Sequence, residues 1–257
     1  MSTDKRSIEW YNQNSERYTK HVRDPNDSIF HSQYEKPAMY NALPKLNGMA
    51  VLSLGCGSGE DCLYLFKCGA KKVIGIDISS EMIKIAKSSY PECDFKEMDM
   101  EKLDFEDSSF DFVYSSLAIH YLEDWTKVFS EVYRVLKPNS YFLFSCNHPV
   151  SSAMELVKDN KDFSIRELSR TKYRKINKVD IVGNYMDRKS SFGQGNMDVT
   201  TWHKSFGEIS MEAASAGFFI ANIIEPLPLP SMKELSPTSY QSMMKIPDFL
   251  ILKLLKP

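Results

Sequence analysis

The sequence predicts an α/β protein built on a doubly wound, mostly parallel sheet. Between residues 49 and 145, short apolar runs typical of strands alternate with helix-type runs. This order is that of strands joined by right-handed helical crossovers. Near-continuous apolar runs such as Val51–Leu54 and Val73–Ile76 suit strands buried on both faces. The predicted strands are 49–54, 72–77, 93–98, 110–116 and 140–145.

Helices are predicted between these strands. Glu60–Cys68 ends at a glycine, and Ser80–Ser89 ends shortly before a proline. Asp124 can cap a further helix, whose apolar residues recur at helical spacing up to Pro138. Strand and helix therefore alternate through the whole segment, as a doubly wound sheet requires.

The two ends of the chain carry the other predicted elements. Ser205 and Glu208 form a capping box at the start of a helix that reaches Ala216. Two strands follow it, and such a final pair commonly packs as an antiparallel edge. The remaining predicted ranges are helices at 7–22 and 34–46 and strands at 218–226 and 248–256.

Residues 150–200 interrupt the pattern. They hold few apolar runs, and Glu155–Lys189 contains ten Lys or Arg against six Asp or Glu. Two interpretations stay open, a solvated insertion and a lid that faces the substrate and mildly prefers anionic partners.

Composition excludes several classes of protein. The 257 residues are 42% hydrophobic and 26% charged with a net charge of −2, so a core can form and DNA or RNA binding is not expected. Five scattered cysteines without a C-x-x-C pair argue against disulfides and against a bound metal. Without a signal peptide or an apolar run of about 20 residues, we expect a cytoplasmic protein without a membrane segment.

A glycine-rich loop is the strongest functional signal. In VLSLGCGSGE, residues 51–60, a buried strand is followed by Gly55, Gly57 and Gly59 and then by a helix. Glycines allow a sharp turn and let a ligand lie against the backbone. In a doubly wound sheet, nucleotide-like ligands bind beside such a loop.

Two acidic residues follow the next strands. Asp77 ends the second strand and can accept hydrogen bonds from both ribose hydroxyls. Asp99 follows the third strand and could accept from an adenine amino group while Met100 packs on the ring. Each acid by itself could equally be a helix cap or a solvated turn residue.

The glycine spacing separates two kinds of adenosine ligand. Dinucleotide-binding loops have the pattern G-x-G-x-x-G, whereas this loop has G-x-G-x-G with Glu60 at the position of the third glycine. An acid there would repel a pyrophosphate. S-adenosylmethionine has no phosphate, so the loop favours it over NAD, and the absence of G-K-[ST] excludes a P-loop.

Taken in order, these motifs resemble the class I S-adenosylmethionine-dependent methyltransferases. The resemblance covers roughly 49–145, with Asn139 and Ser140 where the family often has two glycines. It implies a Rossmann-like, seven-stranded sheet with an antiparallel last strand. The motifs that carry it are 51–60, Asp77, Asp99, FDFVYSSLAIHYLEDW (110–125) and EVYRVLKPNSYFLFS (131–145).

The flanking segments are similar to a bacterial subgroup of small-molecule methyltransferases. They are HSQYEKPAMYNALP (31–44), His148-Pro149, TTWHKSF (200–206) and the C-terminal EPLPLP with its following strand. From the resemblance and the loop together we expect contacts to the cofactor from Tyr11, Tyr34, Gly55, Cys56, Gly57, Gly59, Asp77, Ile78, Asp99, Met100, Ser116 and Leu117.

Three histidines are candidate general bases. His120 and His148 follow the fourth and fifth strands, and His203 precedes a late helix, so all three fall where the cleft of such a sheet opens. An unperturbed histidine pKa of about 6.5 suits base catalysis near neutrality. A structural role is the alternative for each of them.

The sequence therefore predicts one domain over 1–257 that transfers a methyl group from S-adenosylmethionine to an O or N atom of a small molecule, leaving S-adenosylhomocysteine. Its parts are a helical cap (1–48), a cofactor-binding core (49–149), a lid or substrate insertion (150–200) and a C-terminal helix and strands (201–257). Rival hypotheses are an RNA or protein methyltransferase, a dehydrogenase and a non-catalytic S-adenosylmethionine-binding protein. We expect a monomer or homodimer.

Overall fold

The computed structural model describes residues 3–153, 185–186, 190–194 and 197–257. In this part of the chain seven strands form one sheet and two more form a hairpin-like pair. The sheet strands are β1 (Ala50–Leu54), β2 (Lys72–Asp77), β3 (Asp94–Glu97), β4 (Phe110–Ser115), β5 (Leu136–Asn147), β8 (Phe219–Ile224) and β9 (Phe249–Lys256), and the pair is β6 (Ser190–Gln194) with β7 (Met197–Trp202).

The sheet has the order β3-β2-β1-β4-β5-β9-β8. Strands β1 to β5 pair in parallel, whereas β9 pairs antiparallel with both β5 and β8. The predicted doubly wound sheet with an antiparallel last strand is confirmed. The last two strands form this antiparallel edge, with β9 next to β5 and β8 outermost.

Helices cover both faces of the sheet. The helices after β2 and before β5 carry apolar residues at helical spacing, and several helices begin at a side-chain cap, such as Ser79 for the helix after β2. They are α1 (Lys5–Arg23), α2 (Lys36–Asn41), α3 (Glu60–Lys67), α4 (Ser80–Ser89), α5 (Thr126–Val135), α6 (Pro149–Ser152), α7 (Phe206–Ser215), α8 (Met232–Leu235) and α9 (Pro237–Met243).

Two predicted boundaries were wrong. Of the predicted helix at 34–46, Lys36–Asn41 is α-helical (α2), a π-helical segment, His31–Glu35, precedes it, and the helix ends five residues early. The predicted strand 140–145 is longer in the structure and starts at Leu136. Its first residues are separated from the rest of β5 by a bend, where the register opposite β4 shifts. Asn139 lies at this bend with φ +60°, a left-handed conformation that asparagine tolerates better than most residues. This explains why asparagine can replace a family glycine there.

Two apolar layers lie on opposite faces of the sheet. One contains α5 and α7, with Trp125, Phe129 and Phe144 completely buried against the strands. The other contains α2, α3 and α4, with Leu65 and Tyr114 in its interior. Both faces of the central strands are therefore covered, as their continuous apolar runs predict.

The N-terminal helix docks over the carboxyl edge of the sheet. Asp4 caps α1 by accepting from Ser7 N at 3.1 Å, and Ser7 Oγ in turn accepts from Thr200 N at 2.9 Å. Asn12 Oδ1 accepts from Ser79 Oγ at 2.7 Å, which fixes α1 to the turn after β2. These bonds hold α1 above the edge where the glycine-rich loop lies.

Most of the predicted lid at 150–200 lies outside the described residues. Its described parts include α6, β6 and most of β7. In the part of the chain that the structure describes, no helix is long and apolar enough to cross a bilayer.

Candidate active site

Two glycines of the loop are required by packing. A Cβ on Gly55, at φ +61°, would lie 2.3 Å from Ala118 Cβ and 3.5 Å from Met100 Cε. A Cβ on Gly59, at φ +93°, would lie 2.8 Å from Phe95 Cζ. Larger residues at both positions would force the neighbouring segments apart.

Gly57 has a different environment. Its φ is +52°, and a Cβ added there would meet no atom within 4 Å. The neighbouring Cys56 N donates to Ile76 O at 2.9 Å, and Gly57 N donates to Asp77 Oδ2 at 2.8 Å. Bonds to β2 therefore fix the loop, while the outer side of Gly57 faces open space that a ligand can fill.

Asp77 connects the loop with the turn after β2. Besides Gly57 N, its carboxylate accepts from Ser79 N at 2.9 Å, and Ile78 lies between these residues. Burial raises the pKa of Asp77, while the hydrogen bonds from backbone N–H groups act in the opposite direction. Met98 N donates to Asp77 O at 3.0 Å, so β3 ends beside the same carboxylate.

Asp99 and Met100 form the next wall of the site. Asp99 Oδ1 accepts from Glu101 N at 2.9 Å, which leaves the turn after β3 compact. The methyl group of Met100 lies against Gly55, as given above. These two predicted residues therefore share the carboxyl edge of the sheet with the loop.

Ser116 and Leu117 follow β4 in a strained turn. Leu117 has φ +47°, an uncommon conformation for a side chain that is not glycine. Leu117 N donates to Ser145 Oγ at 2.9 Å, and Ser116 Oγ donates to Glu35 Oε1 at 2.9 Å. Side chains from β5 and from the cap therefore hold the turn against the loop.

An aromatic cluster formed by α1 and the turn after β4 lies near Asp77. The hydroxyl groups of Tyr11 and Tyr121 are 2.6 Å apart, and the Tyr11 ring packs edge-on against Tyr18 and Tyr121 with centroids 5.2 and 5.8 Å away. Burial raises the pKa of Tyr11 and of Tyr121, the latter to about 12, and the charge of Asp77 acts in the same direction. Tyr11 is therefore near the predicted ribose site, as expected of a cap residue.

Tyr34 lies in a separate apolar cluster. It is completely buried, with its ring 5.4 Å from that of Phe249 and its hydroxyl accepting from Asp248 N at 3.1 Å. Met232 and Met243 complete the cluster. These contacts tie the cap to the C-terminal segment, so they give no support to the predicted contact between Tyr34 and the cofactor.

His148 has a structural environment. Its Nδ1 accepts from Val150 N at 3.2 Å and so caps α6, and its Nε2 is 3.2 Å from Glu225 Oε1. The acceptor role of Nδ1 assigns the proton to Nε2, which donates to the carboxylate. Burial lowers the pKa of His148, and Glu225 acts against that shift. Both ring nitrogens are engaged, which argues against the predicted base role.

His203 is also engaged at both nitrogens. Its Nε2 is 2.9 Å from Tyr185 O and its Nδ1 is 2.7 Å from Ser152 Oγ. A carbonyl oxygen only accepts, so Nε2 carries a proton, and in the neutral ring Nδ1 accepts from the serine hydroxyl. His203 therefore connects the end of β7 to α6 rather than presenting a free base.

His120 keeps a nitrogen free. It is buried in the short 3₁₀ turn Ile119–Tyr121, and its Nδ1 has no partner among the described residues. Burial, with a smaller contribution from His31, lowers its pKa to about 3. A group with so low a pKa is a weak base near neutrality, so His120 fits a neutral hydrogen-bonding role better than proton abstraction.

The charge of Glu60 is partly compensated. Its carboxylate accepts from Arg23 Nε at 2.6 Å and from Ser58 Oγ at 2.7 Å. Glu60 therefore repels a pyrophosphate less strongly than the sequence suggests. The preference for S-adenosylmethionine over NAD then rests on the glycine spacing. In the described ranges, no group of three or more His, Cys, Asp or Glu is arranged to hold a metal ion.

Sequence reasoning missed Glu35. This acid lies in the segment 31–44, which resembles a methyltransferase subgroup, but no spacing or periodicity within the segment distinguishes Glu35 from a surface residue. Its complete burial depends on the π-helical segment, which turns the side chain toward the ends of β4 and β5.

Comparison with known proteins agrees with this geometry. Residues 52–144 match the family model described as "Methyltransferase domain". A solved structure of an S-adenosylmethionine dependent methyltransferase from Mesorhizobium loti is 25% identical, with a TM-score of 0.70 over 89% of this chain and 99% of that one. Residues 52–144 form a methyltransferase domain, and the fold is that of the class I S-adenosylmethionine-dependent methyltransferases.

Other similar proteins extend the comparison beyond residues 52–144. A provisionally assigned S-adenosylmethionine dependent methyltransferase from Listeria monocytogenes is 28% identical, with a TM-score of 0.72 over 87% of this chain and 96% of that one. A phthiotriol/phenolphthiotriol dimycocerosates methyltransferase from Mycobacterium ulcerans is 33% identical over 136 residues, covering 52% of this chain and 49% of that protein. The chain spans about half the length of the curated relatives it matches.

Proposed function

We propose that this protein transfers a methyl group from S-adenosylmethionine to an O or N atom of a small molecule. The observation that carries the proposal is the free space at Gly57, backed by a carboxylate that fixes the loop. A cofactor that must approach the backbone closely needs such a position without a Cβ.

The residues around that space fit the parts of the cofactor. Asp77 is aligned to accept from ribose hydroxyls with the carboxylate lone pairs that its backbone bonds leave free. Asp99 and Met100 suit an adenine, as an acceptor for its amino group and an apolar surface for its ring. Ser116 and Leu117 close the opposite side.

The Tyr11 cluster suits the charge of the donor. S-adenosylmethionine supplies a methyl group already activated on a positively charged sulfur. Aromatic rings near that sulfur stabilise the cation by about 0.5–2 kcal/mol. The cap also excludes water and holds the two reactants together, and orientation can lower the barrier by about 7–11 kcal/mol.

A small acceptor is supported by charge and by a relative. The net charge of −2 gives no field that attracts nucleic acid. The Mycobacterium ulcerans relative is named for phthiotriol and phenolphthiotriol dimycocerosates, which are not macromolecules of protein or nucleic acid. We infer that the acceptor is likewise neither a protein nor a nucleic acid, and that it binds on the β4 and β5 side of the cofactor.

Calorimetric titration with S-adenosylhomocysteine tests the proposal. We expect Asp77→Ala to weaken binding at least tenfold, because the variant loses both the ribose acceptor and the bond that fixes Gly57. The matched control is Asp94→Ala, since Asp94 is an exposed acid at the amino end of β3 with a surface ion pair to Lys72.

Three results would contradict the proposal. Unchanged affinity in Asp77→Ala would remove the ribose assignment. If the wild-type protein bound neither S-adenosylmethionine nor S-adenosylhomocysteine, the proposed cofactor would be wrong. Thermal stabilisation by NAD without stabilisation by S-adenosylhomocysteine would favour a dehydrogenase.

A further inference from the structure

Glu35 is a buried carboxyl group with half of its hydrogen-bonding capacity unused. Its Oε1 accepts from Ser116 Oγ at 2.9 Å and from Ser145 Oγ. Its Oε2 is buried and has no hydrogen-bond partner among the residues that the structure describes. An unpaired buried carboxyl oxygen costs free energy, so a bound molecule that supplies a donor there would be stabilised.

The position of Glu35 limits which molecule can supply that donor. Ser116, its hydrogen-bond partner, lies two residues before Ala118, whose side chain packs on Gly55 of the loop. On the other side, Asp61 belongs to the first turn of α3 directly after the loop, and its charge acts on Glu35. The carboxyl group of Glu35 thus lies between the turn after β4 and the start of α3, two segments that adjoin the loop.

Lys36, the cation of the described residues that acts on Glu35, is already paired. Lys36 Nζ is 3.2 Å from Asp61 Oδ1, and the same oxygen accepts from Tyr40 OH at 2.6 Å. Tyr114 OH, also buried without a partner among the described residues, is a neutral donor, whereas a ligand can supply the charged donor that Glu35 Oε2 lacks. Of the groups that S-adenosylmethionine brings to the loop, the α-ammonium has three N–H donors and a full positive charge.

We propose that Glu35 binds the α-ammonium group of S-adenosylmethionine through Oε2. The inference rests on the proposed function and adds a specificity-determining residue to it, because adenosine derivatives without an amino-acid end cannot use this contact. Through Ser116 and Ser145, the same carboxyl group also connects the cap to the turn that closes the site.

Binding through Glu35 has a consequence for pH. Burial, and next the charge of Asp61, raise the pKa of Glu35 to about 7, while the two serines and Lys36 act against that shift. The other titratable groups that act with it are Tyr40 on α2 and Tyr114 on β4. The ammonium group favours the ionised carboxylate, so affinity rises as pH increases through about 7 and falls below it, with proton release on binding.

The test compares two probes, S-adenosylhomocysteine and 5′-methylthioadenosine, which lacks the amino-acid end. With Glu35→Gln, which keeps the size and an acceptor for the two serines, we expect at least tenfold weaker binding of S-adenosylhomocysteine and less than twofold change for 5′-methylthioadenosine. The matched control is Glu81→Gln on α4, where the acid makes an exposed pair with Lys84.

Calorimetry of the wild-type protein provides a second measurement that needs no variant. Titrations at pH 7 in two buffers of different ionisation enthalpy should detect proton release with S-adenosylhomocysteine and none with 5′-methylthioadenosine. Affinity for the first probe should increase between pH 6 and 8, and affinity for the second should stay level.

The outcomes separate this inference from the proposed function. Equal losses for both probes in Glu35→Gln would make Glu35 a structural support for the turn and overturn the inference. Unchanged binding of both probes would do the same, since Glu35 would then not touch the cofactor. Wild-type protein that binds neither probe would overturn the proposed function as well.

Discussion

Replacing Gly57 by alanine separates the stability of the loop from ligand binding. The added Cβ meets no protein atom within 4 Å, so Gly57→Ala produces no clash in the free protein. It does enter the space in which we expect the cofactor to lie. The substitution should therefore cost little stability and much affinity.

The expected stability change follows from the backbone. Alanine at φ +52° costs about 1–2 kcal/mol in the left-handed region, and the lower entropy of its unfolded chain offsets about 0.4–1 kcal/mol of that. The net loss of about 0–1.6 kcal/mol lowers Tm by no more than about 6 °C in a protein of this size. Binding of S-adenosylhomocysteine should weaken at least tenfold, or about 1.4 kcal/mol.

Gly48→Ala is the matched control. Gly48 also has a positive φ, +78°, and a Cβ there also meets no atom within 4 Å. It precedes β1, at the edge of the sheet opposite the loop. Differential scanning fluorimetry should report similar decreases in Tm for both variants, and calorimetry should report weaker binding of S-adenosylhomocysteine only for Gly57→Ala. If both variants bind the ligand like wild type, Gly57 does not form the cofactor surface.

Two further predictions concern residues to which the structure gives structural roles. His148→Ala removes the cap of α6 and the contact with Glu225, so the free energy of unfolding from thermal denaturation should fall by about 1 kcal/mol. Affinity for S-adenosylhomocysteine should stay within twofold, and a larger change would place His148 in the site. Ser205→Ala breaks the capping box with Glu208 and should also cost about 1 kcal/mol in denaturant unfolding. Gly207→Ala in the same helix gives a comparison that keeps the box, and a Ser205 variant as stable as wild type would contradict the assigned cap.

The core of the fold could be predicted because its signals are local. The runs Val51–Leu54 and Val73–Ile76 are apolar at every position, which only a strand covered on both faces accommodates. The capping box at Ser205 was confirmed because its two reciprocal bonds involve residues three positions apart. The predicted helix at 34–46 was right only over Lys36–Asn41, and the π-helical segment before it was missed because such a segment has no distinctive sequence pattern at this length.

The roles of the histidines depended on distant partners. His148 meets Glu225, and His203 meets Tyr185 and Ser152. No spacing in the sequence brings these residues together, so their occupied nitrogens could not be predicted. Glu35 differs from the histidines. Its neighbours in the sequence do not mark it as buried, and its burial leaves one carboxyl oxygen without a partner among the described residues.

The sequence by itself determined the alternation of strands and helices, the glycine-rich loop and the acid after β2, because each depends on backbone conformation or periodicity within a few residues. Only the tertiary structure decided that β9 inserts beside β5, that Gly57 alone of the three loop glycines borders open space, and that the carboxyl group of Glu35 is buried beside the loop. These features depend on the packing of segments that are far apart in the chain, and packing also determines which polar groups remain available to a ligand.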